Sequence, residues 1–384
     1  MTRVAPQLDD GPAAWRFVPR NLAPLGAALG LALLMHFVFQ PAAGSFASKL
    51  ALDIAVNIIL AVSLTMVNGF TGQFSMGTAG FMAVGGYAAA AVTYYGSFRL
   101  YGSPNPPAGI LSAFGDPTGL PLPWLQSGDL MFVAACLFGG LVAAGAGYIV
   151  GLPSLRLRGD YLAIVTLGFG EIVRVVLQTS ERRLSNAEQI AGTPWPKLLT
   201  HLGGSLGFTS IPYFTTLFWV WLAAVLTLVV AYRMKRSSYG RAFLSIREDE
   251  VAAEAMGVCT TKFKVRAFVI SSFFAGVAGA LIAHQVQSIN AGELGFQRSF
   301  DVIIMVVLGG MGSISGAVLA AGVLTVLPEL LRFMADYRMV VYALALIVMM
   351  IVRPQGLFGV REVWEVGPFR RRAAGSGAPG GGAT

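Results

Sequence analysis

The sequence has 384 residues, of which 55% are hydrophobic and only 12% are charged. A chain this apolar has too little polar surface to cover a soluble globule, so the composition predicts an all-α polytopic membrane protein. The net charge of +8 does not indicate a nucleic-acid partner, because the basic residues are spread through short loops between apolar stretches.

The N-terminal segment, residues 1–21, carries three arginines and precedes an apolar run from 22 to 39. A basic start followed by an apolar run resembles a signal peptide, but this run is longer than a usual signal core. We therefore interpret it as the first membrane span. Residues 1–21 are then a cytosolic segment, and a transmembrane permease domain extends from 22 to 352.

Further apolar stretches predict the remaining spans. The stretch 300–331 is too long for one crossing and breaks at Gly309–Gly312, so we divide it into a short piece and a full span. The sequence thus predicts about ten crossings, including broken or half helices, at about 22–39, 50–67, 79–95, 130–151, 160–178, 213–232, 266–285, 300–331 in two pieces, and 338–352.

The distribution of basic residues predicts the orientation of these spans. With the N-terminus inside, the cytosolic segments hold 18 of the 27 Lys and Arg residues, the outer segments hold 8, and Arg174 lies within a span. This agrees with the positive-inside rule, whereas a nine-span alternative would put the basic C-terminus outside.

The outer segments 96–129 and 179–212 should form an external surface. The tail, 353–384, is expected in the cytosol and disordered after about residue 369 because of its low complexity.

Two glycine-rich segments, 68–77 and 309–315, interrupt apolar stretches. They share one spacing: Gly, two residues, Gly, one residue, an apolar residue, Ser. Non-helical backbone at membrane depth is tolerated only inside protein or along a water-filled cavity. We therefore expect both segments to line a translocation pathway, and close helix packing by small residues is the alternative. The candidate pathway residues are Asn68, Gly72, Gln73, Ser75, Gly309, Gly310, Gly312 and Ser313.

Several charged residues in or near the predicted spans need partners, since a charge at membrane depth is costly. Glu171 and Arg174 lie three residues apart on one helical face, which predicts a mutual ion pair; a substrate or proton relay is the alternative. Asp53 and Asp301 lie near span ends, where water can reach them. Asp53, Glu171 or Asp301 would be the coupling site if the chain worked alone as an ion-coupled transporter.

A charged insert, residues 245–267, separates two apolar stretches. Ser245 and Glu248 have the spacing of a capping box, and Gly257 stands where a left-handed cap would end a helix. One helix is therefore predicted between them. Its acidic residues fall on several sides, which leaves no wide apolar stripe to bury against the chain's own body. We expect it to dock into another protein, and an ordinary solvated loop helix is the alternative.

The insert resembles the cytoplasmic coupling loop of ABC importer permeases, whose signature is Glu-Ala-Ala, three residues, Gly. Ala252, Ala253 and Gly257 match it, whereas Val251 occupies the Glu position and Glu250 precedes it. The resemblance implies a cytosolic coupling loop over 233–265. The residues expected to couple it to an ATPase are Arg247, Glu248, Asp249, Glu250, Ala252, Ala253 and Gly257.

Five motifs in order resemble the LivM-type permease subunit of branched-chain amino acid ABC importers: 68–88, 155–173, 238–257, 306–316 and 353–359. One departure is that Ala191-Gly192-Thr193 stands near the place where the family often has Thr-Gly-Gly. The resemblance implies a multi-pass subunit of the bacterial cytoplasmic (inner) membrane. It would work with a second homologous permease subunit, two cytosolic ATPase subunits and an extracytoplasmic substrate-binding protein, surrounded by membrane lipid.

The implied substrates are leucine, isoleucine, valine or related small amino acids; urea or short amides are the alternative within the family. The sequence contains no G-x-x-x-x-G-K-[ST] phosphate loop, so we expect no bound cofactor and ATP only on the partner subunits. A membrane enzyme has little support. The two cysteines and three histidines have no metal-ligand or catalytic spacing.

Overall fold

The computed structural model describes residues 17–104, 106–112, 126–154, 161–334, 337–352 and 356. Two short strands, β1 (Phe208–Thr209) and β2 (Ser288–Ile289), pair antiparallel. The remaining regular structure in this part of the chain is helical: α1 (Phe17–Leu34), α2 (Gln40–Leu64), α3 (Thr78–Tyr101), α4 (Ser127–Ser154), α5 (Tyr161–Gln178), α6 (Ala187–Gly192), α7 (Trp195–Leu198), α8 (Leu217–Arg236), α9 (Ser238–Glu248), α10 (Glu250–Ala255), α11 (Thr260–Val286), α12 (Phe296–Gly309), α13 (Ile314–Leu330) and α14 (Arg338–Val352).

The prediction of a helical, multi-pass membrane protein is confirmed. Helical turns occupy each predicted span, including the two pieces of 300–331. The count of about ten crossings stays a prediction. Six stretches of the described residues are long and apolar enough to cross a membrane: Pro24–Gly69, Ser127–Pro153, Tyr161–Gln178, Leu217–Arg236, Thr260–Val286 and Ile314–Phe333.

Some expectations concern residues outside the described ranges. They include most of the N-terminal segment 1–21, part of the outer segment 96–129, the residues 155–160 that open the fifth predicted span, and all of the tail 353–384 except Gly356. These expectations stay predictions.

The first two predicted spans join through a π-helical turn at Met35–Phe39, so no loop separates them. The chain bends at Gly44, whose φ of 73° is rarely adopted by a residue with a side chain. After α2, a second π-helical turn at Thr65–Gly69 ends the helix where the first glycine-rich segment begins. Helical hydrogen bonding thus continues through apolar sequence and stops at glycine.

The centre of the bundle is formed by α3, α4 and α11, which approach closely through glycines. A side chain at Gly85 would overlap the backbone of Gly276, and one at Gly139 would overlap the carbonyl of Gly85. Small residues allow such close approach between membrane helices, where packing rather than the hydrophobic effect favours association. The bundle core therefore depends on glycines at the crossing.

The predicted outer segment 179–212 is folded over one end of α3. The hydroxyl of Tyr95 donates to the carbonyl of His201 at 2.6 Å, and Arg183 donates to the hydroxyl of Tyr94 at 2.6 Å. On the same side, β1 and β2 connect this segment to the end of α11. We call this the far end of the bundle; α9 and α10 lie at the opposite end, which we call the insert end.

Candidate functional site

Residues 245–267 hold the end of α9, all of α10 and the start of α11, and from here on the name insert is used for α9 and α10. The prediction of a single helix capped by Ser245 is therefore wrong. Ser245 lies inside α9, where its hydroxyl donates to the carbonyl of Ala242. The break falls at Asp249, whose carboxylate accepts hydrogen bonds from the backbone N–H groups of Val251 and Ala252 and so caps α10. An Asp side chain satisfies the free donors at a helix start, which favours a new helix over continuation of the old one.

The end of the insert agrees with the sequence prediction. Gly257 has a φ of 86°, in the left-handed region. Its N–H donates to the carbonyl of Glu254, and the N–H of Val258 donates to the carbonyl of Ala253. These two bonds form a Schellman motif, which satisfies the last free carbonyls of α10 and reverses the chain toward α11.

The insert packs against the body of the chain more than its charge pattern indicated. Phe243, Ile246 and Ala253 are buried. Glu250 forms a salt bridge of 2.6 Å with Lys264 in the first turn of α11, and Lys264 is almost fully buried. Glu254 accepts a hydrogen bond from the hydroxyl of Thr260 at 2.7 Å. The expectation that the insert lacks a face for its own chain is therefore corrected.

The outer face of the insert combines one free acid with exposed apolar side chains. Glu248 is exposed at the end of α9. Val251 is 61% exposed and Met256 is 85% exposed, although both are apolar. A partner protein that covered these two side chains would bury apolar area, which stabilises a complex. This surface, formed by Glu248, Val251 and Met256, is named the insert surface below.

The two glycine-rich segments adopt similar turns. In the first, Asn68 closes the turn by accepting a hydrogen bond from the N–H of Ser75 at 3.1 Å, and Gly72 has a φ of 69°. In the second, Gly312 has a φ of 100°, and the hydroxyl of Ser313 accepts a hydrogen bond from the N–H of Gly316 and caps α13. The fourth position of the shared spacing thus has a left-handed backbone in both segments.

These segments meet each other at the insert end. A side chain at Gly69 would come within 2.7 Å of the backbone nitrogen of Gly312. Arg247 of α9 donates to the carbonyl of Gly69 at 3.1 Å, and Lys235 of α8 donates to the carbonyl of Gly312 at 2.8 Å. Cationic side chains therefore satisfy carbonyls that the broken helices leave free. We call this contact the glycine junction.

Most of the predicted pathway residues are buried in the chain itself. Gly72 is exposed, whereas the other seven are buried. Gly309 lies so close to Gly316 that neither position has room for a side chain. Close packing thus describes their present contacts, and their role in a pathway stays a prediction. The structure brings together the predicted coupling residue Arg247 and both predicted pathway segments.

A second polar group lies deeper between the helices. The carboxylate of Asp53 accepts from the side chain of Gln285 at 2.9 Å. Asn57, one turn further along α2, accepts from Arg298 at 2.9 Å and donates to Thr325 at 2.8 Å. Sequence analysis identified Asp53 but assigned Arg298 to an outer loop, whereas it lies within α12. The spacing of four residues from Lys49 to Asp53 to Asn57 is a signal that could have indicated a polar face of α2.

The predicted pair of Glu171 and Arg174 is present. Arg174 Nε lies 2.6 Å from Glu171 Oε2, and Arg174 also donates to Gln178. The other oxygen of Glu171 accepts from the backbone N–H of Phe296 at 3.1 Å, at the start of α12. The pair therefore satisfies its own charges and holds the start of α12 against α5.

Comparison with known proteins gives one consistent result. The family model described as "Branched-chain amino acid transport system / permease component" matches residues 46–352. The permease protein LivM of the high-affinity branched-chain amino acid transport system is 37% identical in Salmonella typhimurium (85% of this chain and 73% of that protein) and 36% identical in Escherichia coli K12 (81% and 70%). The permease protein LivH of Escherichia coli K12 is 27% identical (80% and 92%). No solved structure matches the chain.

Proposed function

The chain belongs to the family of branched-chain amino acid transport system permease components, and on that premise we propose that it is one permease subunit of an ATP-driven importer. Leucine, isoleucine and valine are the proposed substrates, with related small amino acids, since the most similar relatives named above belong to branched-chain amino acid systems. Urea or short amides are the alternative substrates.

The proposed assembly contains four kinds of subunit. This chain pairs with a second related permease, because the chain is similar to both LivM and LivH, two permease proteins of one kind of system. Two cytosolic ATPase subunits supply the motion, and an extracytoplasmic binding protein delivers the substrate. The complex lies in the bacterial inner membrane.

Ten crossings with both termini in the cytosol are the proposed topology. A side chain at Gly356 would come within 2.6 Å of the backbone nitrogen of Gly310, beside the glycine junction. This contact supports a C-terminus at the insert end. An even number of crossings puts both termini on one side of the membrane, so the N-terminus would lie at the insert end as well. Within this topology, residues 22–352 form the transmembrane domain and 233–265 the coupling loop.

The observation that carries the proposal is the connection of the insert to the glycine junction. An ATPase that binds the insert surface would move α9, and Arg247 would transmit that motion to Gly69 at the end of α2. Because both glycine-rich segments lack continuous helical bonding, they are the positions where α2, α12 and α13 can change direction with little loss of hydrogen bonding. The predicted pathway residues would then act at the moving parts.

A native cysteine allows a direct test of the docking step. Cys259 is exposed next to the insert, and the chain's other cysteine, Cys136, is buried. A photo-crosslinker attached to Cys259 in the complete transporter should react with an ATPase subunit. A membrane-impermeant thiol reagent should modify Cys259 only from the cytosolic side, and less when the ATPases are bound.

The control is a Cys259→Ser, Leu206→Cys variant, which moves the single reactive thiol to an exposed position between α7 and β1. This thiol should react from the outside and give no crosslink to an ATPase. Modification of Cys259 from the outside, or a Cys259 crosslink only to the binding protein, would refute the proposed docking.

A further inference from the structure

A cleft of about 510 Å³ opens beside the start of α12, between α12, α5 and the segment after β2. Its volume lies within the roughly 300–1,000 Å³ typical of small-molecule sites. It is lined by both signs of charge: Glu171, Arg174, Glu293, Arg298 and Asp301. A cleft with cations and anions together is complementary to a ligand that carries both.

Two of these charged residues, Glu171 and Arg174, already form contacts within the protein. Glu171 and Arg174 form a direct ion pair, and Glu171 also accepts the N–H of Phe296. These two side chains therefore bond each other and the start of α12. They form one wall of the cleft.

Arg298 and Asp301 differ from that pair. They lie three residues apart, which places them on one face of α12, and each is within electrostatic reach of the other without a direct salt bridge. Arg298 donates to Asn57 from one of its terminal nitrogens, and its guanidinium has further N–H donors. Within the described residues, the carboxylate of Asp301 accepts no hydrogen bond.

A free amino acid presents a carboxylate and an ammonium group on one carbon atom. Arg298 can bind the carboxylate with two parallel hydrogen bonds, and Asp301 can accept from the ammonium. The ring of Phe296, which is 46% exposed and lines the same cleft, offers an apolar surface for a branched side chain. The carboxylate, the ammonium group and the apolar side chain of such an amino acid thus each have a complementary residue in the cleft.

We propose that this cleft is a transient binding site for the translocated amino acid, in which Arg298 donates to its α-carboxylate and Asp301 accepts from its α-ammonium group. The assignment rests on the proposed function, since it requires an amino acid as the cargo. It places a second point of substrate selection in the permease itself. Arg298 also contacts Asn57 of α2, so an occupied cleft is linked to the helix that ends at the glycine junction.

The test measures protection of a thiol at the cleft by leucine. Gln297 is exposed and lines the cleft, so a Cys259→Ser, Gln297→Cys variant carries one reactive thiol there. The complete transporter, in lipid nanodiscs and without the binding protein, is treated with a small maleimide. Leucine should slow the reaction. Isoamylamine lacks the carboxylate and 4-methylpentanoate lacks the ammonium group, so each should need a concentration at least about tenfold higher than leucine for the same protection.

Two substitutions then assign the effect to the proposed residues. Asp301→Asn keeps the size of the side chain and removes its charge, and Arg298→Gln removes the guanidinium. Each should abolish the protection of the folded transporter by leucine. A purely structural role would instead lower the melting temperature and leave protection of the folded fraction unchanged, which would overturn the proposal.

The control variant is Cys259→Ser, Leu206→Cys, whose thiol replaces a residue that does not line the cleft and should not be protected. Equal protection of both thiols, or no protection by leucine at Gln297→Cys, would overturn the assignment. ATP-driven leucine uptake by the same purified transporter, reconstituted into liposomes and supplied with loaded binding protein, separates failure of the cleft from failure of the proposed function. Normal uptake without protection refutes the cleft alone, whereas absence of uptake for all branched-chain amino acids refutes the proposed function and this inference with it.

Discussion

Arg247 is the residue of the insert that contacts the glycine junction. Its guanidinium bonds the carbonyl of Gly69 and lies against Gly312, where an added side chain would come within 2.7 Å of Arg247 Nη1. Sequence analysis placed Arg247 among the coupling residues but could not identify this contact. Hydrogen bonds between residues 178 positions apart have no signature in local spacing.

Replacement of Arg247 by Ala should uncouple ATP hydrolysis from transport. The carbonyl of Gly69 loses its charged donor, at a cost of about 1.5–3 kcal/mol, and motion of α9 no longer reaches α2. We expect leucine uptake to fall about tenfold or more while binding-protein-stimulated ATP hydrolysis continues. Arg241→Ala is the matched control, because Arg241 is exposed and, within the described part of the chain, its side chain bonds Ser238 of its own helix. Equal loss of uptake in both variants would contradict this role of Arg247.

The salt bridge between Glu250 and Lys264 should be a stabilising contact between the insert and α11. Glu250→Gln leaves the buried ammonium of Lys264 without its countercharge, and we expect a loss of about 2 kcal/mol in stability because an unpaired buried charge is costly. The double variant Glu250→Gln, Lys264→Met should recover part of that loss. Thermal unfolding of the purified chain measures both, and strictly additive effects would show that the two side chains do not interact.

At the scale of elements, most of the helices could be predicted from composition. Long apolar runs indicated the spans, and the two glycine-rich segments with one shared spacing indicated the breaks after α2 and α12. The insert was harder, since Asp249 could continue one helix or cap a second, and local propensity does not decide between them. Its packing against α11 was also missed, because Lys264 pairs with Glu250 only after the turn at Gly257 reverses the chain.

The glycine crossing of α3, α4 and α11 gives a prediction for element packing. Gly85→Ala inserts a methyl group where the backbone of Gly276 lies, so the helices must separate, at a cost of about 1–3 kcal/mol. Gly145→Ala in α4 is the control, since nothing lies within 4 Å of its added carbon. Thermal unfolding in detergent should give a lower melting temperature for Gly85→Ala and an unchanged or slightly higher one for Gly145→Ala. The reverse order would show that this crossing does not hold the bundle together.

At the scale of the whole molecule, sequence analysis identified the parts of the candidate site but not their arrangement, and the roles of these residues stay predictions. The two glycine-rich segments and the insert were each identified from residue types. That Arg247 and Lys235 join them at one end of the bundle follows from how α2, α8, α9 and α13 pack, which no single stretch of sequence encodes. Arg298 was missed for a related reason: its role depends on Asn57, 241 positions away.

The central claim is that this chain is a passive permease whose motion comes from ATPase subunits bound at the insert. The most direct measurement is leucine uptake into proteoliposomes containing this chain and its partner permease, supplied with loaded binding protein, with and without the ATPase subunits and ATP. We predict uptake only when both the ATPases and hydrolysable ATP are present. Uptake driven by an ion gradient in the absence of the ATPases would contradict the claim.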